Sequence, residues 1–320
     1  MKRTVTGAVS SAASPGRIAS AVIAVLAALG LTACGGAANP LSSNAGGGAS
    51  SAPDTITIGS ANFPESRLLA QIYATALTAR GVKTTLKPNI GSREVYLPAL
   101  KDGSIDLIPE YTGTLLQYLD KTAPQTSSED VYAALPKALP PGLTVLDKAT
   151  AEDKDAVVVS AATAQKFNLK SIADLAPHCA ELTMGGPPEF QTRPDGLPGL
   201  TKNYGCTFKG YKSLDAGGPL TVAAVKDGTA DAADLFTTDS SIAANNFVVL
   251  ADPKSNFAAQ NVVPLINAKK ANDTVKQTLN AISAKLDTKA LADLDARLSA
   301  PDHPDAAAVA KDWLASVGLG

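Results

Sequence analysis

Two aromatic residues, Tyr111 and Phe236, hold the same place in a repeated stretch of this chain. Ala99 to Thr114, ALKDGSIDLIPEYTGT, returns 125 residues later as Ala224 to Asp239, AVKDGTADAADLFTTD, without insertion or deletion. Ala99/Ala224, Lys101/Lys226, Asp102/Asp227, Gly103/Gly228, Asp106/Asp231 and Thr112/Thr237 are identical, and internal similarity at one offset points to two related half-structures. Each copy reads as the end of a helix, a Lys-Asp-Gly turn, a short apolar strand, then an aromatic residue and threonines where a new helix begins. One ring therefore lies at the carboxyl end of a strand in each half, where open α/β sheets bind ligands. Two such lobes face to face would form a cleft with Tyr111 on one wall and Phe236 on the other, a geometry for enclosing a small molecule without bonding to it.

Residues for covalent chemistry are scarce. The chain has two histidines, His178 and His303, and no G-x-S-x-G elbow, phosphate loop or zinc-ligand spacing, so no enzyme activity, cofactor or metal is expected. The acidic residues Glu152, Asp153 and Asp155 read as exposed charge. A net charge of −2, with no run of Lys or Arg beyond the first residues, argues against a nucleic-acid partner. Of three cysteines, Cys34 belongs to the leader described next. In an exported chain Cys179 and Cys206 are then most simply one disulfide, contributing ~3 kcal/mol. A Cys179 activated by His178 is the weaker reading, because adjacent residues on a strand point to opposite faces.

Lys2, Arg3 and Arg17 precede Ile18 to Leu31, an apolar run of 14 residues, too short to span a bilayer and right for a signal peptide. Leu31-Thr32-Ala33-Cys34-Gly35 resembles the bacterial lipobox. Residues 1–33 are accordingly expected to be cleaved, leaving Cys34 as a diacylglycerol-modified N-terminus at the outer face of the bacterial cytoplasmic membrane. Residues 34–53, rich in Gly, Ala and Ser, read as a flexible tether of roughly 25 Å, and the folded part should begin near Asp54.

Thr55 to Phe63 reads as a strand, and Leu68, Leu69, Ile72, Tyr73, Ala76 and Leu77 recur at helical spacing behind Pro64. A strand at Val82–Ile90, a helix at Ser92–Leu100 and a strand at Ile105–Tyr111 complete a β-α-β-α-β pattern, which implies a parallel sheet. A helix around Ser128–Leu139 and a strand near Leu143–Leu146 follow. Asp155 to Ser160 reads as a crossing between lobes. The second lobe holds strands at Leu182–Gly185 and Phe247–Leu250, and the chain returns at Val262–Ile266. Three helices end it, near Asp273–Lys285, Lys289–Leu298 and Ala306–Val317, with Trp313 of the last expected in the core. The expected organisation is a first lobe at 54–154, a second at 155–258, and the first lobe resumed at 259–320.

These residues resemble the substrate-binding proteins of glycine betaine/choline/osmoprotectant (quaternary-amine) ABC importers. The segments that carry the resemblance are Asn62-Phe63-Pro64-Glu65, Pro109-Glu110-Tyr111-Thr112-Gly113-Thr114, and Glu189-Phe190-Gln191-Thr192-Arg193-Pro194-Asp195-Gly196, supported by Tyr204-Gly205, Thr238-Asp239 and Pro264. The resemblance implies a two-lobe α/β periplasmic-binding-protein fold of type II, hinged on two crossing strands, with the ligand cleft between the lobes. It also implies a monomer that hands its small-molecule ligand to a permease and an ATPase encoded elsewhere.

In that family a box of aromatic rings holds the quaternary ammonium, each ring worth about 0.5 to 2 kcal/mol, and an arginine with nearby hydroxyls holds a carboxylate. Tyr111 and Thr114 match the box tyrosine and its threonine, Arg193 matches the arginine, and Phe236 falls where another ring is expected. Asn62 joins them in the matching segment at the first strand. Two departures stand out: Asp155 and Gln260 occupy the positions of two box tyrosines, and Ala61 stands where some members carry a lysine. Asp155 could pair the cation directly; equally, Asp155, Gln260 and Asn261 could bond a polar or hydroxylated aromatic solute stacked between the rings, or Lys154 and Asp155 could be a solvated hinge pair. A lipoprotein that only docks other proteins is the remaining class, and it would have a filled or flat cleft.

Overall fold

The computed structural model describes residues 55–320, so the expected signal peptide, Cys34, the tether and Asp54 lie outside the described residues. The first part of the chain runs β1 (Thr55–Ala61), α1 (Pro64–Ala79), β2 (Lys83–Gly91), α2 (Arg93–Lys101), β3 (Leu107–Tyr111), α3 (Thr112–Leu119), α4 (Ser128–Ala138) and β4 (Leu143–Val145). There follow β5 (Asp155–Val159), α5 (Ala161–Phe167), α6 (Ile172–Leu175), β6 (Thr183–Gly186), α7 (Leu197–Tyr204), β7 (Gly210–Ser213), α8 (Pro219–Lys226), β8 (Ala232–Phe236), α9 (Ser240–Ala244) and β9 (Val248–Val249). The chain ends with β10 (Val262–Asn267), α10 (Asp273–Ser283), α11 (Thr288–Leu298) and α12 (Ala306–Ser316).

The strands form two five-stranded sheets, in the orders β2-β1-β3-β10-β4 and β7-β6-β8-β5-β9. The orders match position by position: three parallel strands, then an antiparallel partner, β10 against β3 and β5 against β8. The β-α-β-α-β unit forms the parallel set β2-β1-β3, as its pattern predicts, and the sheet as a whole is mixed. Its fourth strand, β10, re-enters from the other lobe at the carboxyl end of β3 and must run against it.

Side chains alternate across each strand, so each sheet buries both faces. In β3, Leu107 packs toward α1, α10, α11 and α12, and Ile108 packs toward α2, α3 and α4. Trp313 is partly buried against the first of these layers. The second sheet sends Val157 and Val159 one way and Val158 the other. Cys179 and Cys206 are bonded to each other inside the second lobe, 5.4 Å apart at Cα, and His178 pairs instead with Glu181 at 3.0 Å.

The crossing lies one step earlier than Asp155–Ser160, because Asp155–Val159 is already strand β5. The two connecting segments pair where Glu152 bridges Asn261: Val262 N donates to Ala151 O and Asp153 N donates to Gln260 O, each at 3.1 Å.

Candidate functional site

Between the two sheets lies a cavity of about 510 Å³, open space at its mouth included. All seven residues singled out from the sequence, Asn62, Tyr111, Thr114, Asp155, Arg193, Phe236 and Gln260, line it. Ala61 lines it as well. The strand ends place them there: β3 stops at Tyr111 and β8 at Phe236, each just before the turn into a helix.

A third ring, not singled out from the sequence, joins the two. Phe63 lies 5.8 Å from Tyr111 and 5.1 Å from Phe236 between ring centroids, so it connects the walls. Its signal was present in the chain: Phe63 follows β1 and precedes Pro64 of α1, the same strand-end and helix-start setting that marked Tyr111. Phe236 has room because residue 217 is glycine, with φ +59° and a ring atom 2.8 Å from where a Cβ would stand.

Tyr111 donates its phenol proton to Glu65 Oε1 at 2.5 Å, and Thr238 donates to Glu65 Oε2 at 2.9 Å, so α1 holds the first lobe's ring and touches the start of α9. Burial, and then the charge of Asp295, pushes the Glu65 carboxyl well above the usual range. Burial likewise raises Asp295 to about 7. Burial and the neighbouring Glu65 hold the Tyr111 phenol protonated.

Asp153, expected as exposed charge, is only 3% exposed. It lies in the crossing with both lobes around it and accepts from Thr238 N at 3.1 Å and Thr237 Oγ1 at 3.3 Å. Burial, then Glu65, pushes its pKa well up. Asp155 is half-buried rather than exposed. As the first residue of β5 it stands directly across the sheet from Phe236 and accepts from Gln260 Nε2 at 2.8 Å. Burial, followed by the charge of Asp155, raises nearby Asp195 to about 6.

Both guanidinium groups in the cavity wall are held by protein carboxylates. Arg93, which opens α2, donates to both Glu110 oxygens at 2.8 Å and to Thr114 Oγ1 at 2.9 Å, and Tyr96 adds its hydroxyl to Glu110 at 2.6 Å. This ion pair, 5% and 0% exposed, accounts for Thr114, whose oxygen faces Arg93. Arg193 sits in a tight loop made possible by Gly196, where a Cβ would stand 1.9 Å from the Phe190 carbonyl oxygen. Its Nε and Nη2 donate to the two oxygens of Glu94 at 3.2 and 3.1 Å, and Glu189 lies 3.9 Å away. Partial burial would raise the Glu94 pKa, but the hydrogen bonds from Arg193 and Ser92 outweigh it and hold the group at about 2.

Two α/β lobes of like topology, joined by two short crossings and enclosing a ring-lined cavity, define a solute-binding protein of the type II periplasmic class. Residues 54–316 match the OpuAC family model, the substrate binding domain of the ABC-type glycine betaine transport system. The chain is 29% identical over 281 residues to the glycine betaine-binding protein YehZ of Escherichia coli strain K12, covering 83% of this chain and 92% of the relative. It is 28% identical over 253 residues to the carnitine transport binding protein OpuCC of Listeria monocytogenes, covering 77% and 81%. Among solved structures, a glycine betaine/carnitine/choline ABC transporter crystal structure superposes with a TM-score of 0.65 at 25% identity, over 82% of this chain and 99% of that one. The chain belongs to the OpuAC family: it is an ABC importer's substrate-binding component, which acts outside the cytoplasm, captures a small solute and passes it to a permease. Among the described residues no helix is long and apolar enough to cross a membrane.

Proposed function

We propose that the protein captures a quaternary-ammonium osmoprotectant of the glycine betaine, choline, proline betaine or carnitine class. The observation that carries this reading is the grouping of Phe63, Tyr111 and Phe236 around one cavity, with the Asp155 carboxylate across the sheet from Phe236. A desolvated cation over ring faces gains about 0.5 to 2 kcal/mol per ring, and a carboxylate at the same place adds direct charge pairing. Phe63 and Asp155 thus offset the two box tyrosines this chain lacks. Asn62, Thr114 and Gln260 shape the remaining wall, and Arg193 is the group that meets a ligand carboxylate. The protein works as a monomer of two lobes, 54–154 with 259–320 and 155–258, tethered through lipidated Cys34 to the outer face of the cytoplasmic membrane. This last part is supported by the order of charge, apolar run, small residues and cysteine in the leader.

Calorimetric titration of the purified protein with these four amines, uncharged hydroxylated aromatics and polyols tests the reading. Binding of a quaternary amine, weakened about 2- to 30-fold by Phe236→Ala, is expected. Binding of uncharged compounds alone would overturn it. Release of the chain from membranes by Cys34→Ser tests the anchor.

A further inference from the structure

Phe63 and Phe236 also line a second chamber, of about 400 Å³ with the open space at its mouth included. Four carboxyls line it, Glu65 of α1, Asp153 of the crossing, Asp239 at the start of α9 and Asp295 of α11, and no lysine, arginine or histidine does. Lys154, next to Asp153 in the chain, is not among its lining residues, and on the helices Arg67 donates to Asn89 and Arg297 to Asp302. The chamber lies on the seam between the lobes: Thr238 of the second lobe donates to Glu65 of the first, and α9 packs on α11.

Buried carboxyls with no cation beside them keep a proton, because burial and like charge both disfavour ionisation. Tyr111 and Thr238 each donate to one oxygen of Glu65, and Asp295, 9% exposed, is hydrogen-bonded to the same carboxyl. Ionised carboxyls only accept, so this pair needs a proton, and with both Glu65 oxygens accepting hydroxyls Asp295 is the donor. No protein donor reaches the buried Asp295 Oδ1. Asp153 accepts from Thr238 N and adds a like charge to the pair. When the lobes part, Thr238 leaves Glu65, water reaches the carboxyls, and they ionise near their ordinary values of about 4.

We propose that this seam is a proton-linked latch: closing the cleft takes up a proton from solvent at the carboxyl pair of Glu65 and Asp295, so the protein holds its solute more tightly as its surroundings acidify. The proposal rests on the closing of the cleft and not on which solute closes it. Burial raises Glu65 and Asp153 well above their usual values and Asp295 to about 7, and it raises Asp239 in the same direction. A carboxyl raised in the closed form favours that form most below its open-form value, and the effect is lost as pH rises through the closed-form value.

Choline and glycine betaine keep their charge between pH 6 and pH 8, so a change in their binding over that range belongs to the protein. Calorimetric titration of the wild type should show affinity falling about tenfold from pH 6 to pH 8, the change that one carboxyl moving from about 4 to about 7 produces. Asp295→Asn keeps the shape of the side chain, supplies an amide donor in place of the proton and cannot ionise. It should match the wild type at pH 6, bind about tenfold more tightly than the wild type at pH 8, and vary less than about threefold between the two. Asp195, at about 6 near the solute cavity, titrates in both proteins, so their difference isolates the seam. Binding enthalpies in phosphate and Tris buffers should record net proton uptake by the wild type at pH 7 that falls in the variant, and thermal melting checks that each is folded. A wild-type affinity independent of pH, or a variant displaced equally at both pH values, would overturn the latch and leave the quaternary-amine reading standing. Were neither amine to bind the folded protein, that reading alone would fail, and small-angle scattering of the ligand-free protein decides the latch: contraction between pH 8 and pH 6 supports it, and an unchanged radius of gyration overturns it.

Discussion

In the first lobe Asp106 accepts the backbone N–H of Thr57 at 2.8 Å, and in the second lobe Asp231 accepts that of Thr183 at the same distance. The two repeats are copies down to this bond, which ties the turn before β3 to β1 and the turn before β8 to β6. They part at the strand ends. Glu110 in β3 is a buried charge locked to Arg93, where its counterpart in β8 is Leu235, packed with Val158 and Val225. Tyr111 is cross-strand to apolar Val262, whereas Phe236 is cross-strand to Asp155. One frame thus supplies a ring fixed from behind by a polar network and a ring with a carboxylate beside it. The difference teaches that the repeated segment specifies position, while the residues it is paired with specify charge.

The sharpest way to break this comparison is to remove the network behind Tyr111. Arg93→Ala leaves Glu110 buried without its partner and should cost about 3 to 5 kcal/mol in urea unfolding. Next comes the covalent asymmetry. Among the described residues the disulfide lies in the second lobe, so Cys206→Ser should cost ~3 kcal/mol and should weaken second-lobe amide protection from hydrogen exchange before that of the first.

The carboxyl pair behind Tyr111 predicts a pH dependence. A carboxyl whose folded pKa is raised, as Asp295 is to about 7, binds its proton better in the folded state. Its contribution is greatest below the unfolded pKa of about 4 and declines as pH rises through 7. Asp295→Asn should flatten that decline, raising stability at pH 8 relative to wild type on the order of 2 kcal/mol, as read from melting curves across pH. The smallest effect sharpens the contrast between rings. Phe236→Ala should lower ligand affinity about 2- to 30-fold with little loss of stability, and Tyr111→Ala should lower both. Equal stability losses from the two would mean that the lobes hold their rings alike.

The sequence conveyed position well and partnership poorly. Period-2 and period-3.6 patterns place the strands and helices of the first lobe within a few residues, while β7, α5, α6 and α7 of the second lobe carry too short a pattern to be read, and the repeat brings Tyr111 and Phe236 to one cavity. Nothing local marks Arg93 for Glu110, 17 residues on and met only when α2 packs on β3, or Glu94 for Arg193, 99 residues away in the other lobe. Asp153 was misjudged for a related reason: an acidic residue among acidic neighbours reads as solvated unless its burial in a crossing is known. Phe63 is legible by the strand-end rule, although the repeat does not extend to it.

The placement of β10 also governs how the molecule is assembled in time. Every strand of the second sheet comes from residues 155–249, whereas the first sheet needs β10, at 262–267, between β3 and β4. The pairing of Val262 with Tyr111 closes a longer loop than that of Phe236 with Asp155, by a little under twofold, and longer closures slow folding. The second lobe and its disulfide can therefore mature first, while β3 keeps an unpaired edge until β10 arrives. A refolding experiment that follows each sheet should record two rates, the slower one belonging to the lobe in which the chain starts.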